Sequence, residues 1–325
     1  MRYAPLGASG LVVSTVGVGC NAFGTRIDAA AVREIVDTAL EVGVNFFDTA
    51  DTYGLGASEE LLGHALQGRR DEVVVATKFG MDMQGHNGPD HGARASRRYV
   101  RRAVEASLRR LRTDHIDLYQ LHQPDLVTPI EETLQSLAEL VAEGKVRYVG
   151  CSNFAAWEVT RAAHVARALG VPGFVTAQNE YSLYNRVAEE ELVPACLDAG
   201  VGLLPYFPLA YGLLTGKYAP GAAPEGSRLS HPSQQHRLSG ADFARVAALQ
   251  EYADARGLSL LQVAIGGLAA QPAVGSVIAG VSRASQVRSN VEAAAWVPTA
   301  DDLETLQEVN QVPLPGMTHR SYTRS

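Results

Sequence analysis

Asp48, Lys78 and His122 each end one of three consecutive apolar segments in the first half of the chain. Tyr53 follows Asp48 by five residues. An isolated aspartate in such a place is often a helix cap, and an isolated histidine often hydrogen-bonds a carbonyl group. If the three segments are neighbouring parallel strands, however, the side chains at their ends lie together at one edge of the sheet. We therefore interpret the four residues as one candidate site.

These residue types favour proton transfer to an oxygen atom. The phenol of a free tyrosine has a pKa of about 10, too high for easy proton donation near neutral pH. A nearby ammonium group stabilises the phenolate, and a carboxylate holds that ammonium in place. We expect Lys78 and Asp48 to do this for Tyr53, while His122 orients or polarises a carbonyl group. Lysine is rare here, with Lys78, Lys145 and Lys217 the only lysines among 28 basic residues.

Other chemistries lack their sequence signals. The Gly-x-Ser-x-Gly motif of serine hydrolases does not occur, and no cluster of histidines and acids suits a metal, so we predict no metal site. His86 and His91 lie in a glycine-rich segment and are expected to face solvent. The glycines at 54 and 56 do not directly follow a strand and lack a third partner, so they do not form a dinucleotide-binding loop.

Short apolar segments alternate with helical periodicity along nearly the whole chain. This alternation predicts parallel strands joined by right-handed helical crossovers. Eight such units favour a single (β/α)8 TIM barrel over residues 1–325, with an open doubly wound sheet as the alternative. Residues 80–95 and 207–240 are predicted to be long loops at the C-terminal face, and residues after Val312 a polar tail. The predicted strands are 15–19, 44–48, 73–78, 116–122, 146–151, 174–178, 201–206 and 276–280.

Composition limits the class of protein. Of the 325 residues, 46% are hydrophobic and 19% charged, which suits a large core and excludes disorder. The net charge of −7 argues against a nucleic acid partner. No segment approaches the roughly 18 apolar residues that span a membrane, and residues 11–20 indicate a buried strand rather than a signal peptide. Cys20, Cys151 and Cys196 are far apart. We expect a cytoplasmic protein without disulfides.

The motif from Asp48 to Gly54, Asp-Thr-Ala-Asp-Thr-Tyr-Gly, resembles the aldo-keto reductases when combined with Lys78, Leu121-His122 and Gly150-Cys-Ser-Asn153. The chain is most similar to the bacterial branch related to the potassium channel β-subunits, from Leu6 to Asn290. This resemblance implies an NADPH-dependent barrel that reduces aldehydes or ketones. It also implies a tetrad in which Tyr53 donates the proton, Lys78 lowers the pKa of Tyr53, Asp48 pairs with Lys78, and His122 positions the substrate oxygen.

The resemblance also implies a set of cofactor-binding residues. Ser152, Asn153 and Gln178 would bind the nicotinamide carboxamide, and Tyr206 would stack on the ring. Phe207 stands where the family usually has serine, and Ser289 where it usually has glutamate. The residues implied to contact the pyrophosphate and the adenosine end are Phe207, Pro208, Leu209, Gly212, Lys217, Arg228, Gly280, Ser282, Arg283, Gln286 and Asn290.

The expected partner is a small-molecule carbonyl substrate, contacted by Asn21, Phe23 and Phe79. The chain is expected to be a monomer or a homo-oligomer. Two other functions remain open from the residues. In a class I aldolase, Lys78 would form a Schiff base with the substrate. In a regulatory subunit, the chain would bind the cofactor without turnover.

Overall fold

Ten β-strands are present in the computed structural model, which describes residues 1–309. Two form a small antiparallel hairpin at the N-terminus, and the other eight are parallel and belong to one sheet. The predicted strands all occur, with ends shifted by one or two residues. The strands are β1 Tyr3–Pro5, β2 Val12–Ser14, β3 Val16–Gly19, β4 Phe46–Asp48, β5 Val74–Phe79, β6 Ile116–Leu121, β7 Val146–Ser152, β8 Thr176–Glu180, β9 Gly202–Tyr206 and β10 Val277–Gly280.

The parallel sheet closes on itself. Its strands lie in the order β10-β3-β4-β5-β6-β7-β8-β9. The two ends of this order meet where Leu203 of β9 donates its amide to Ala273 O at 2.7 Å and accepts from Gly275 N at 3.0 Å, just before β10 begins. These bonds confirm the predicted (β/α)8 barrel and exclude the open sheet.

Helices surround the barrel and cover its outer surface. Their ends carry the expected signals: Asp28 caps α1 by accepting from Ala31 N at 3.0 Å, and Gly170 ends α5 with φ 65°. No helix within residues 1–309 has the length and apolar character needed to cross a membrane. The helices are α1 Ala29–Glu41, α2 Ala57–Ala65, α3 Arg97–Leu111, α4 Ile130–Ala142, α5 Ala156–Leu169, α6 Leu192–Ala199, α7 Gln235–Ser239, α8 Phe243–Asp254, α9 Leu260–Ala269, α10 Ala284–Ala293 and α11 Ala300–Val309.

Alternation along each strand divides the buried residues between two layers. One layer packs between the sheet and the helices, and the other fills the barrel interior. Phe46, Leu118 and Ile278 belong to the interior layer, and Leu6 and Val13 of the N-terminal hairpin pack against them. The hairpin thus closes one end of the barrel. The sequence predicted a single strand over residues 11–20, whereas the chain forms β2 and β3 separated by Thr15.

The two long excursions follow β5 and β9, as predicted. Residues 80–95 contain no helix or strand, whereas residues 207–240 include short 3₁₀ turns and α7. Both leave the C-terminal ends of strands, where barrel enzymes carry their sites. The predicted polar tail after Val312 lies outside the described residues.

Candidate active site

Asp48 and Lys78 form a buried ion pair inside the barrel. Lys78 Nζ donates to both carboxylate oxygens of Asp48, at 2.7 and 2.9 Å, and to the carbonyl oxygen of Thr49 at 2.9 Å. The Lys78 side chain has no exposed surface. Burial disfavours the ammonium ion, but Asp48 and Tyr53 outweigh this effect, so the pKa of Lys78 is raised and the side chain is charged.

Two glutamines complete the surroundings of Asp48. Gln178 Nε2 donates to Asp48 Oδ1 at 2.8 Å, and Gln120 Nε2 approaches the same oxygen at 3.4 Å. Gln178 was expected to bind the nicotinamide carboxamide, whereas here its amide is turned toward the ion pair. Gln120 was missed from the sequence. Its signal is alternation, because it lies two residues before His122 and therefore points to the same side of the strand.

Tyr53 lies beside the ion pair at the start of a tight 3₁₀ turn, Tyr53–Gly56. Gly54 and Leu55 adopt φ values of 59° and 52°, which turn the chain sharply after the tyrosine. Lys78 Nζ is 5.2 Å from the centroid of the Tyr53 ring. Burial raises the pKa of Tyr53, and Lys78 pulls it down less strongly. The effect of Lys78 thus has the expected direction, but burial outweighs it.

His122 faces Tyr53 across the mouth of the barrel. The two ring centroids are 6.0 Å apart and the rings are nearly perpendicular, at 80°. Burial, with a smaller effect of the Lys78 charge, lowers the pKa of His122 to about 3. The imidazole is therefore neutral at pH 7. Its Nδ1 atom is buried without a hydrogen-bond partner in the described part of the chain.

Ser152 and Asn153 continue the rim after β7. Ser152 Oγ donates to Gln178 O at 2.8 Å. Asn153, with φ 60°, donates from Nδ2 to His122 O at 2.9 Å and accepts from Tyr206 Oη at 2.8 Å. Asparagine tolerates this left-handed backbone better than most residues. The predicted nicotinamide-side residues are thus brought together with His122.

Arginines and aromatic rings cluster in the excursion after β9. The Arg228 guanidinium lies 5.0 Å from the Phe207 ring centroid and 5.2 Å from that of Tyr211, and Arg237 lies 3.9 Å from the latter. Burial lowers the pKa of Arg228, and the nearby positive charges of Arg26 and Arg237 add to this effect. The other predicted residues of this segment, which lie along the same chain stretch, are Pro208, Leu209, Gly212 and Lys217.

The predicted adenine-side residues begin at Gly280, the last residue of β10, and continue into α10. The Ser282 amide donates to Gln286 Oε1 at 2.7 Å, Arg283 is exposed at the start of α10, and Asn290 is buried within that helix. Asn21, which was predicted to contact substrate, lies two residues after β3 and close to Gly280. Its side-chain oxygen is buried and has no partner within residues 1–309.

Phe23 and Phe79 do not line the site. Both have no exposed surface and pack in the layer between the sheet and the helices. Phe79 stacks on Tyr119 with centroids 4.6 Å apart. The physical reason for Phe79 is alternation, because Lys78 points into the barrel and the next residue must point out. The predicted substrate contact of these two phenylalanines is therefore wrong.

Comparison with known proteins identifies the family of this chain. Residues 15–311 match the model of the aldo/keto reductase family. The chain is 36% identical to a probable voltage-gated potassium channel subunit beta of Arabidopsis thaliana, covering 96% of both chains. It is 37% identical to the uncharacterized oxidoreductase YrpG of Bacillus subtilis (97% of both), and 34% identical to the versiconal hemiacetal acetate reductase of Aspergillus parasiticus (95% of this chain, 96% of the relative).

The barrel fold and the residues at its rim point to the same family as this match over nearly the whole chain. The chain belongs to the aldo/keto reductase family, a family of oxidoreductases.

Proposed function

We propose that this protein reduces an aldehyde or ketone to an alcohol with NADPH, and that Tyr53 is the general acid. One observation supports the proposal most directly. A charged lysine with no exposed surface, fixed by Asp48, lies beside the ring of Tyr53, and a neutral His122 faces the same ring. A purely structural role would not require a buried cation beside a tyrosine at the mouth of the barrel.

The residues present fit a phosphorylated dinucleotide. Arg26, Arg228 and Arg237 lie close together, and within residues 1–309 none of them pairs with a carboxylate. Positive charges that lie close together without a carboxylate partner favour the binding of an anion, and guanidinium groups bind phosphate oxygens well. Lys217 would hold the pyrophosphate region, Arg228 and Arg283 the 2′-phosphate, and Tyr206 and Asn153 the nicotinamide end. The Phe207 ring, which stands in the place of the family's serine, lies against the Arg228 guanidinium.

NADPH, when bound, supplies a hydride to the carbonyl carbon. The chain's own residues handle the proton and the oxygen. Tyr53 holds a proton at Oη, and Lys78 stabilises the phenolate once that proton has left. Neutral His122 can donate one hydrogen bond to the substrate oxygen. Asp48, Gln120 and Gln178 keep Lys78 charged and in place, in surroundings where water does not weaken its charge.

The aldolase alternative fits the site poorly. A Schiff base requires an uncharged lysine amine. Lys78 has a raised pKa, and its ammonium donates to three oxygen atoms, two of them on Asp48. These contacts hold the nitrogen as an ion. The regulatory alternative is supported by the name of the Arabidopsis relative and predicts cofactor binding without turnover.

The proposal extends to the domain organisation, cellular location and oligomeric state of the enzyme. We propose one functional barrel domain acting in the cytoplasm on a small molecule, as a monomer or homo-oligomer. Cys20, Cys151 and Cys196 are all buried free thiols, which suits a reducing compartment.

A substrate panel tests the proposed function. Absorbance at 340 nm would be followed with NADPH, and separately with NADH, against aliphatic, aromatic and dicarbonyl substrates. Lys78→Met serves as the inactive control. We expect NADPH oxidation with at least one aldehyde and none with the control. Tight NADPH binding without oxidation across the panel would contradict the proposal and favour the regulatory alternative.

A further inference from the structure

A second buried polar cluster lies outside the barrel wall, directly behind the segment that carries Tyr53. Its members are Asp51, Glu59, Asn87 and Arg110, from the β4–α2 connection, α2, the 80–95 loop and α3. Asp51 and Glu59 have no exposed surface, and Asn87 is 5% exposed. The proposed chemistry uses none of these residues.

The cluster is continuous and contacts the chain on both sides of the site. Asn87 Nδ2 donates to Asp51 Oδ2 at 2.9 Å, and Arg110 donates from Nη1 to Asn87 Oδ1 at 3.2 Å and from Nε to Glu59 Oε2 at 2.6 Å. Glu59 also accepts from the hydroxyl of Thr77, the neighbour of Lys78, at 2.6 Å.

Asp51 connects the cluster to the tyrosine. It lies two residues before Tyr53, and its amide donates to the carbonyl oxygen of Lys78 at 3.1 Å. Through Asn87, its carboxyl group also holds the middle of the 80–95 loop. That loop leaves β5 immediately after Lys78 and Phe79, and Gly80 packs against Leu121 beside His122. A shift of Asp51 would therefore move both Tyr53 and the loop.

The charges in the cluster do not balance. Two carboxyl groups share one guanidinium, and Arg110 is hydrogen-bonded to Glu59 rather than to Asp51. Asp51 Oδ1 is buried with no partner in the described residues. Burial and, to a lesser extent, the charge of Glu59 raise the pKa of Asp51 to about 8, against the opposing effects of Arg110 and Asn87. The phenols of Tyr99 and Tyr119 also face Asp51, and burial raises the pKa of each, so neither adds charge near neutral pH.

We propose that Asp51 is a positioning residue, which in its protonated form fastens the 80–95 loop to the Tyr53 segment. The inference rests on the proposed carbonyl reduction, since Tyr53 is taken as the acid. Near neutral pH the carboxylic acid accepts from Asn87 without placing a second negative charge beside Glu59. As the pH rises through about 8, Asp51 ionises. The burial of this charge and its repulsion from Glu59 then outweigh the stronger hydrogen bond from Asn87, and the loop is held less firmly.

The test uses Asp51→Asn, Asp51→Ala and Asp37→Asn. The side-chain amide introduced by Asp51→Asn mimics the protonated carboxyl at every pH, and Asp51→Ala removes the fastening. Asp37, which pairs with Arg69 at the surface, provides a matched control. Two quantities are measured: kcat/KM for a good aldehyde from pH 6 to 10, and hydrogen–deuterium exchange of amides 81–93, corrected for intrinsic rates.

We expect wild type and Asp37→Asn to lose kcat/KM as the pH rises through about 8, with faster loop exchange over the same range. Asp51→Asn should lack both changes. Asp51→Ala should lower kcat/KM about tenfold at pH 7, the effect of one lost buried hydrogen bond, and should exchange as fast at pH 7 as wild type does at pH 9.

Two results would overturn the inference: an unchanged break near pH 8 in Asp51→Asn, or unchanged loop exchange in Asp51→Ala. Absence of turnover in wild type would contradict the proposed function instead. The exchange comparison between pH 7 and pH 9 would still decide the role of Asp51.

Discussion

Lys78 and Asp48 lie where water does not reach them, so each depends on the other. A buried charge that loses its partner typically costs about 3–5 kcal/mol of stability. Replacing both partners by uncharged groups can instead leave the stability almost unchanged. Loss of activity after substitution of one partner therefore combines a structural and a chemical effect. The two effects separate when both residues are changed together.

Lys78→Met alone should lower the free energy of unfolding by about 3–5 kcal/mol and abolish turnover, because it leaves Asp48 charged and unpaired. Asp48→Asn/Lys78→Met should recover most of that stability and none of the turnover. Urea unfolding and NADPH oxidation would be measured on both variants. Recovered turnover in the double variant would show that the ion pair only supports the fold.

His122 gives a pH prediction with a definite sign. Because the pKa of His122 is lowered to about 3, the imidazole stays neutral from pH 7 down to that range. The kcat/KM profile should therefore show no break near 6.5, the ordinary histidine pKa. Initial rates from pH 5 to 8, corrected for NADPH lost without enzyme, measure this. A break near 6.5 that disappears in His122→Asn would show that a charged histidine takes part.

Strand alternation explains which site residues the sequence could identify. Polar residues at the ends of apolar strands are visible in the sequence, and Asp48, Lys78 and His122 were found in this way. Phe79 was misplaced because proximity along the chain was counted without the side of the strand. Gln120 was overlooked although the same rule places it inside the barrel. Alternation would have corrected both.

Some contacts could not be predicted because they join distant elements. Asp51, Asn87 and Arg110 come from a connection, a loop and a helix, and no local pattern links them. The N-terminal hairpin was missed because its strands have only three residues each, too few for a periodic signal. The stacking of Arg228 on Phe207 and Tyr211 likewise depends on how residues 207–240 fold back.

Two arginines, one in the excursion after β9 and one at the start of α10, are expected to determine the choice of cofactor. Arg228→Ala or Arg283→Ala should weaken NADPH binding more than NADH binding. The ratio of the two affinities should fall about tenfold. The reason is that a hydrogen bond to a charged group contributes about 1.5–3 kcal/mol. Titration calorimetry with both cofactors would measure this, with Arg161→Ala on α5 as a surface control. Equal losses for the two cofactors would show that neither arginine recognises the 2′-phosphate.

At the scale of the molecule, eight repeated strand–helix units account for both the fold and the position of the site. The repeat was visible in the sequence because parallel strands covered on both faces are short and apolar. Closure then brings side chains from β4, β5, β6, β7, β8 and β9 to one rim. The hydrogen bonds that run from Lys78 through Asp48 to Gln178, and from His122 through Asn153 to Tyr206, span that rim.

The most direct measurement is the turnover of Tyr53→Phe with NADPH and one good aldehyde, beside Tyr3→Phe in the N-terminal hairpin as a matched control. General-acid catalysis contributes about 10²–10⁴-fold, so kcat should fall by that factor in Tyr53→Phe and stay unchanged in the control. The thermal midpoint and the Kd for NADPH should barely move in either variant. If Tyr53→Phe keeps most of its carbonyl-reducing rate, Tyr53 is not the acid and the proposed chemistry is wrong.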